Sequence, residues 1–574
     1  MSVNSIGRPV CLTRCLRQPV RTTVTAVHHK SRHGSSQSRT LTSETRPRRK
    51  IHSSSSSRSS APAADQGLAA TASSVHNFAS QIVHATTSAT AGPESSSASS
   101  SQTSRTRNMA KKSPLSVLPL ETILRTLVTS TISSSPLLLP PSLAIMTLLA
   151  HSNNAILNPE RNRLLNWVLK KTFYAQYCAG ENAAEVRQTL AGLNKIGFTG
   201  VILNYAREVV LTEAQSKNLT PCDTGAEAEA CIRDEINPWL KATLATVQIA
   251  QPHDFVALKF TGAGRQALYA LRNRLPPPKA LAAAIDEICQ LAATRNVPLL
   301  FDAEQTALQA GIDDWTIDYA RRYNNITPNH AIIYGTYQSY LKHCPELLSK
   351  HLAIAAKENF TLGVKLVRGA YLGADPRHMI HDTKEDTDRC CDGISEALIT
   401  RTWNSVLKPQ EGQPEFPPVS VVLGTHNLET VQKAQALHAS PQAAGVELAI
   451  AQLMGMADEV SCALIAGDKG EQAAAPPANA VTAAAVKTTG ATTTGVGLHS
   501  ATTSTATLVG SGSGSDTKAK AYKYIVWGTT KECMTYLLRR AHENKDAVSR
   551  TKAGRDAMWE EAKRRFWGAF SSSS

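Results

Sequence analysis

Between residues 200 and 527 the chain repeats one pattern eight times. Each repeat is a short apolar run rich in β-branched and aromatic residues, followed by a longer stretch of helical periodicity. The runs occupy 200–204, 255–260, 297–302, 331–335, 362–367, 419–423, 446–450 and 522–527. A strand that is apolar along its whole length has no face for water, so it belongs in a sheet covered on both sides, which is the parallel arrangement. Eight such strands alternating with helices predict an α/β chain closed as a (β/α)8, TIM-like barrel. An open doubly wound sheet would instead announce itself by Gly-x-Gly-x-x-Gly after a strand. Gly262-Ala-Gly264 is only a fragment of that motif, and Gly510-Ser-Gly-Ser-Gly514 sits in low-complexity sequence.

The flanks read differently. Residues 1–112 carry +13 of the chain's formal charge of +15, with Glu44, Asp65 and Glu94 as their only acids. A tail rich in Arg and Ser, poor in acids and lacking periodicity is expected to be a mitochondrial targeting segment running into disordered chain. The basic excess therefore belongs to the tail, and the nearly neutral remainder gives no sign of a nucleic-acid partner. Residues 113–195 predict a helical extension, and 196–570 the catalytic domain. An Ala/Thr/Gly/Ser-rich tract at 467–519 without aromatic residues is expected to be a disordered insertion. It would split the barrel in sequence but not in space, because closing a long loop costs little more than closing a short one. The 11 cysteines include no Cys-x-x-Cys, which argues against a zinc site and for thiols in a reducing compartment. The best apolar run, at 143–150, is far short of the ~20 residues that a membrane span needs. It reads as a helix packed on the domain, or as a peripheral membrane contact.

In a (β/α)8 barrel the chemistry gathers at the C-terminal strand ends. Here those ends carry Lys259, Asp302, Lys365, Arg368, Thr425-His426-Asn427, Leu453 and Tyr524. One such lysine is unremarkable, and a Lys259–Asp302 pair need only be structural. Charged groups ending six or more apolar strands are much harder to assign to a core. Beyond the last strand, Tyr536-Leu-Leu-Arg-Arg540 reads as a helix, with Arg540 and Glu543 one turn apart on one face. Two adjacent guanidiniums repel each other, and a carboxylate held in the planar guanidinium fork relieves that repulsion.

Asp302-Ala-Glu-Gln-Thr306, Lys365-Leu-Val-Arg-Gly-Ala-Tyr-Leu372, Gly424-Thr-His-Asn427 and Tyr536-Leu-Leu-Arg-Arg540 with Glu543 occur in that order. Together they resemble the proline dehydrogenases, in their eukaryotic mitochondrial and especially fungal branch. The resemblance spans about 155–465 and 520–552. It implies an FAD-dependent oxidation of L-proline to Δ1-pyrroline-5-carboxylate, with electrons passed to a quinone. It also implies a place on the matrix side of the mitochondrial inner membrane, with peripheral association. Carried over by position, Arg539 and Arg540 would hold the proline carboxylate, with Glu543 orienting them. Lys259, Asp302, Leu453 and Tyr524 would line the rest of the substrate pocket. Lys365, Arg368, Gly369, Ala370, Tyr371, Lys384, Thr425, His426 and Asn427 would serve the flavin. No metal is implied. Position 335 departs from the pattern, being Gly where bacterial relatives often have Gln near the flavin. The residues leave open a hydroxyproline dehydrogenase, a Schiff-base aldolase with Lys259 as nucleophile, and a non-enzymatic protein whose tail contacts nucleic acid.

Overall fold

The structure is a computed structural model that describes residues 113–571, except 153, 155, 160, 210–214, 216–217, 414, 475–518 and 547. The expectations for the tail at 1–112 and for most of the insertion fall outside the described residues.

Eight strands close into one parallel barrel in sequence order, β1 pairing with both β2 and β8. They are β1 Gly200–Tyr205, β2 Phe255–Leu258, β3 Leu299–Phe301, β4 Ile333–Gln338, β5 Leu362–Val367, β6 Val419–Gly424, β7 Leu448–Leu453 and β8 Lys520–Trp527. All eight runs are strands, with shifted ends. β3 is shorter than its run because Pro298 supplies no N–H to a ladder and Asp302 turns into the mouth. β4 runs on to Gln338 through residues of mixed polarity that the apolar criterion passes over.

Alternate residues face inward. Phe255, Tyr334 and Tyr522, from β2, β4 and β8, fill one interior layer edge to face, at centroid distances of 5.7 and 5.2 Å from Phe255. A layer built from alternate strands is the packing such barrels use, and the aromatic edges contribute beyond their buried area. The outward residues meet the helix ring. Phe260 sits edge-on to both Phe301 and Trp315 there.

The helices named below are α1 Leu120–Ser134, α2 Leu139–His151, α3 Arg163–Leu169, α4 Ala183–Ile196, α5 Asn237–Ile249, α6 Lys279–Arg295, α7 Thr306–Tyr323, α8 Cys344–Glu358, α9 Lys384–Thr400, α10 Leu428–His438, α11 Asp458–Ala474, α12 Thr530–Asp546 and α13 Val548–Ser571. Because α11 reaches Ala474, the segment expected as an insertion from 467 begins in regular helix. Asp458 and Glu459 in the first turn favour that helix, and composition alone missed its last turns.

The extension α1–α4 does more than precede the barrel. Tyr174 donates to the Gly528 carbonyl at 2.7 Å, and the Ala179 N–H to the Val526 carbonyl at 2.7 Å, which ties the extension to the end of β8. Glu181 accepts from the Thr530 N–H at 2.8 Å, placing a carboxylate at the start of α12 where the helix dipole favours it. Leu139, Leu143 and Met146 of α2 share a buried cluster with Met534 and Leu537 of α12. The helix carrying the arginine pair is thus clamped between barrel and extension.

Candidate active site

Every strand end named from the sequence lies at one mouth of the barrel, and two clusters form there. The first is built on Asp302, immediately after β3. Its carboxylate accepts from Lys365 Nζ on β5 and from the Tyr524 hydroxyl on β8 at 2.7 Å. Lys259 Nζ, just past β2, stands 3.5 Å from the same carboxylate and 3.6 Å from Glu208. Glu208 lies beyond β1, and its side chain is 3 % exposed. Both of its oxygens accept from Arg539 Nη2 at 2.9 Å. The Arg539 guanidinium also lies 5.6 Å from the Tyr371 ring centroid, and Arg540 lies 5.2 Å from that of Tyr536. Arg540 is buried. Arg539, Arg540, Glu208, Lys259, Asp302, Lys365, Tyr371 and Tyr524 are therefore brought together by five separate strand ends and one helix. Leu453 ends β7 beside them. Glu543 lies on α12, and its side chain is outside the described residues.

Burial and charge act against each other here. Burial alone would push the Asp302 carboxyl up, but Lys365 and Lys259 hold it below the usual range. Glu208 behaves alike, with Arg539, Lys259 and Arg540 outweighing burial. For Lys259, burial favours the neutral amine, yet Tyr371, Asp302 and Glu208 raise it above the ordinary lysine value. An amine held charged is a poor nucleophile, so this environment opposes a Schiff-base role. Glu304, two residues after Asp302, is pushed up by burial against the pull of Lys259, and is held by the Thr261 N–H at 3.0 Å. Burial draws the Lys365 amine below the ordinary lysine value, against the pull of Asp302. Lys259, Arg539 and Arg540, with Lys365, thus face two carboxylates held below their usual range and one driven toward neutrality, a set suited to an anionic ligand.

The second cluster is built on Arg368, past the end of β5. It donates to Asp388 at 2.7 and 2.9 Å, to Thr425 Oγ1 at 2.5 Å and to Thr430 Oγ1 at 2.9 Å. Lys384 joins through Asp388 but is itself largely exposed. Asn427 has a local task, since its Oδ1 caps α10 by accepting from the Glu429 and Thr430 N–H groups at 2.9 and 3.3 Å. His426 Nε2 accepts the Leu453 N–H at 3.1 Å, which fixes the loop after β6 against the end of β7.

The cofactor class that the resemblance implies is a flavin, and the mouth has features that fit one. Thr336 Oγ1 and Gln338 Nε2, on β4, are buried without a hydrogen-bond partner among the described residues. Thr336 pairs in register with Lys365, so it faces the same interior. Buried orphan polar atoms are costly, which points to a polar ligand at that wall. Gly369 has φ of +151°, and a Cβ there would lie 2.5 Å from the Tyr340 ring, so the chain passes closely by design. Ala370 N–H donates to Gln338 Oε1 at 3.1 Å. Gly335 does not join this wall. A Cβ there would meet Thr316 of α7 at 3.1 Å, so the position faces the helix ring, and its difference from bacterial relatives does not bear on the mouth.

Sequence reasoning missed Glu208, Thr336, Gln338 and Asp388. For Glu208 a signal existed, an acid three residues past a strand in a chain whose other strands end in charged groups.

A parallel eightfold barrel with buried ion pairs and an arginine pair gathered at its C-terminal mouth has the architecture of a barrel enzyme. The class narrows on comparison with known families. The family model for proline dehydrogenase matches residues 186–553, and the chain belongs to that family of oxidoreductases. Among its relatives, a probable mitochondrial proline dehydrogenase of Schizosaccharomyces pombe is 26 % identical over 448 residues, covering 70 % of this chain and 81 % of the relative. A hydroxyproline dehydrogenase of Mus musculus is 22 % identical over 441 residues, covering 71 % and 84 %. A proline utilization A (PutA) structure from Bdellovibrio bacteriovorus aligns with TM-score 0.48 and 14 % identity, over 74 % of this chain and 41 % of that longer one.

Proposed function

We propose that this protein oxidises L-proline to Δ1-pyrroline-5-carboxylate with FAD, passing electrons to a quinone at the matrix face of the mitochondrial inner membrane. The observation that carries the reading is the convergence of Arg539 and Arg540 with the Asp302–Lys365–Tyr524 and Lys259–Glu208 pairs at one barrel mouth. The mitochondrial placement draws support from relatives named mitochondrial proline dehydrogenases.

A secondary amino acid with no other functional group offers few handles. The arginines would take its carboxylate, which leaves the ring to be oriented by packing against Leu453 and Tyr524. Glu208 holds Arg539 ready and would share it with the incoming carboxylate. The flavin, when bound, supplies the hydride acceptor. As the C–H bond next to nitrogen gives up its electron pair, the nitrogen lone pair forms the C=N bond, so nitrogen must be unprotonated. The cationic surroundings of Lys259 and the arginine pair disfavour an ammonium there and so favour the free amine. Arg368, Thr425, His426 and Lys384 would meet the polar part of the cofactor, while Gly369, Ala370, Tyr371, Thr336 and Gln338 would line its ring. Asn427 would act through the loop it caps.

The test is an anaerobic absorbance spectrum of the purified protein. A flavin band that bleaches on adding L-proline, and far less on adding 4-hydroxyproline, is the expected result. A colourless protein, or a band that proline leaves unchanged, overturns the reading. Faster bleaching by hydroxyproline shifts it to that substrate.

A further inference from the structure

The turn from β7 into α11 is held more firmly than a surface connection needs. Between Leu453 and Asp458 the chain passes twice through the left-handed region, at Gly455 with φ of +73° and at Ala457 with φ of +50°. An alanine is strained there, and such a conformation persists only where its surroundings fix it. One side chain does much of the fixing. Lys523 Nζ donates to the Asp458 carboxylate at 2.8 Å and to the Met456 carbonyl at 3.1 Å, and stands 3.5 Å from the Leu453 carbonyl. It thus grips the turn at its start, its middle and its end. Gln176 of the extension adds a 3.1 Å bond to the Gly455 carbonyl.

The Lys523 and Asp458 side chains are only 3 % and 8 % exposed. A buried ion pair adds little net stability over an apolar pair of the same volume, so stability alone is a poor account of it. Its geometry is more telling. In register, Gln452 pairs with Lys523 and Leu453 with Tyr524. Side chains alternate along a strand, so Leu453 and Tyr524 share the barrel interior while Lys523 works from outside the wall. Lys523 therefore reaches the mouth only through the backbone that it holds, that of the residue whose side chain lines the mouth. Behind the turn there is room. Residues 455–459 form one wall of a recess of about 630 Å3, faced by α1 and α13. A released turn has somewhere to go.

We propose that Lys523 is the positioning residue that sets how far Leu453 projects into the mouth, and thereby limits the site to a five-membered ring. The proposal rests on the functional reading above, in which Leu453 packs against the ring of the substrate. Pipecolate, the homologue one methylene larger, keeps the carboxylate and the ring nitrogen. It differs from proline only in how hard it presses on that wall, so the ratio of the two substrates reads the position of Leu453 directly.

Flavin reduction by L-proline and by L-pipecolate is measured on the full chain. One methylene decides roughly 10- to 200-fold in a fitted pocket, and wild type should prefer proline by a ratio in that range. Lys523→Met keeps the length and deletes the donor. It should raise the proline KM, leave the limiting rate within about threefold and shrink the ratio about tenfold. Because it strands the Asp458 charge, Lys523→Met/Asp458→Asn is measured beside it; folding is then spared, and the ratio should shrink alike. Leu453→Ala should shrink the ratio with the brace intact, and adding Lys523→Met should shrink it no further. Two readouts separate positioning from plain destabilisation. Ile285→Ala, in the buried face of α6, should lower the melting temperature without moving the ratio. The preference for proline over pyrrolidine, which the arginines set, should stay at its wild-type value in the Lys523 variants. A wild-type ratio in the folded double variant overturns the proposal. So does a wild-type ratio in Leu453→Ala, which decides the matter even if both Lys523 variants fail to fold. A wild type that proline leaves oxidised fails the functional reading and takes this proposal with it, a result visible before any variant is made.

Discussion

Replacing Arg539 by Ala tests the site where its geometry is most specific. Arg539 donates two hydrogen bonds at 2.9 Å into a carboxylate that is almost fully buried, and is itself only part exposed. Removing one partner of a buried pair costs about 3–5 kcal/mol when the other charge is left alone. Glu208 is not left alone, since Lys259 remains 3.6 Å away, so the loss should fall near or below the lower end of that range. Substrate affinity carries a second, separate cost. A hydrogen bond to a charged partner contributes about 1.5–3 kcal/mol, or roughly 10- to 100-fold in affinity. The two costs separate by pH. In wild type the Glu208 carboxyl is held below its ordinary value, so its contribution to stability is complete above the unfolded pKa and is lost as pH falls through the folded one. Arg539 is the largest of the influences holding it down, so in Arg539→Ala acid unfolding should begin at a higher pH. The assay is a proline titration of flavin reduction, repeated with pyrrolidine, together with thermal melts across acidic pH. Arg539→Ala and Arg540→Ala should each lose most of the preference for proline over pyrrolidine while keeping bound flavin. Lys at either position should rescue only in part, because a point charge lacks the planar fork. Full preference retained in either alanine variant, or an acid limb identical to wild type in Arg539→Ala, refutes the reasoning.

Other outcomes follow from the same geometry. Gly369→Ala places a Cβ within 2.5 Å of the Tyr340 ring at φ +151°, and should purify with its flavin content lowered several-fold or melt earlier; a normal yellow, stable protein would show that the close approach is not needed. Tyr524→Phe deletes a 2.7 Å hydrogen bond to buried, ionised Asp302, a loss of about 1.5–3 kcal/mol that stopped-flow reduction by proline should register as a fall of an order of magnitude or more. Replacing 475–518 by a short Gly/Ser linker should leave turnover within a few-fold, because β7 and β8 are already paired neighbours on either side of it; a tenfold rise in the proline Michaelis constant, on the order of 1.4 kcal/mol, would place the segment in the site.

The barrel was legible because its strands are apolar on both faces, a constraint that leaves few other residues in those runs. Its polar mouth was legible as a set and less so by member. Lys259, Asp302, Lys365 and Tyr524 do converge, since each directly ends or continues a strand. Glu208 escaped because its partner lies 331 positions away and its burial depends on α12 folding over the mouth. At Lys384 and Asn427 the structure adds local partners to the role that the resemblance implies. Their nearest tasks are an i,i+4 ion pair and a helix cap, forces that act within one turn and that a family pattern does not display. Gly335 turned outward for a reason no composition reveals, the strict alternation of a strand whose register is set by its neighbours.

The pairing of β1 with β8 also sets a timetable for synthesis. Gly200 meets Tyr522 across the seam, so the first strand leaves the ribosome 322 residues before its second neighbour exists. At the usual 5–20 residues per second that is roughly 16–64 s during which one edge of the sheet stands open. An unpaired, largely apolar edge recruits other chains, so this interval is the period of greatest aggregation risk. Chains that terminate anywhere before residue 520 would never leave it, and nonsense or frameshift products of this gene are then hazards to neighbouring polypeptides rather than weak enzymes.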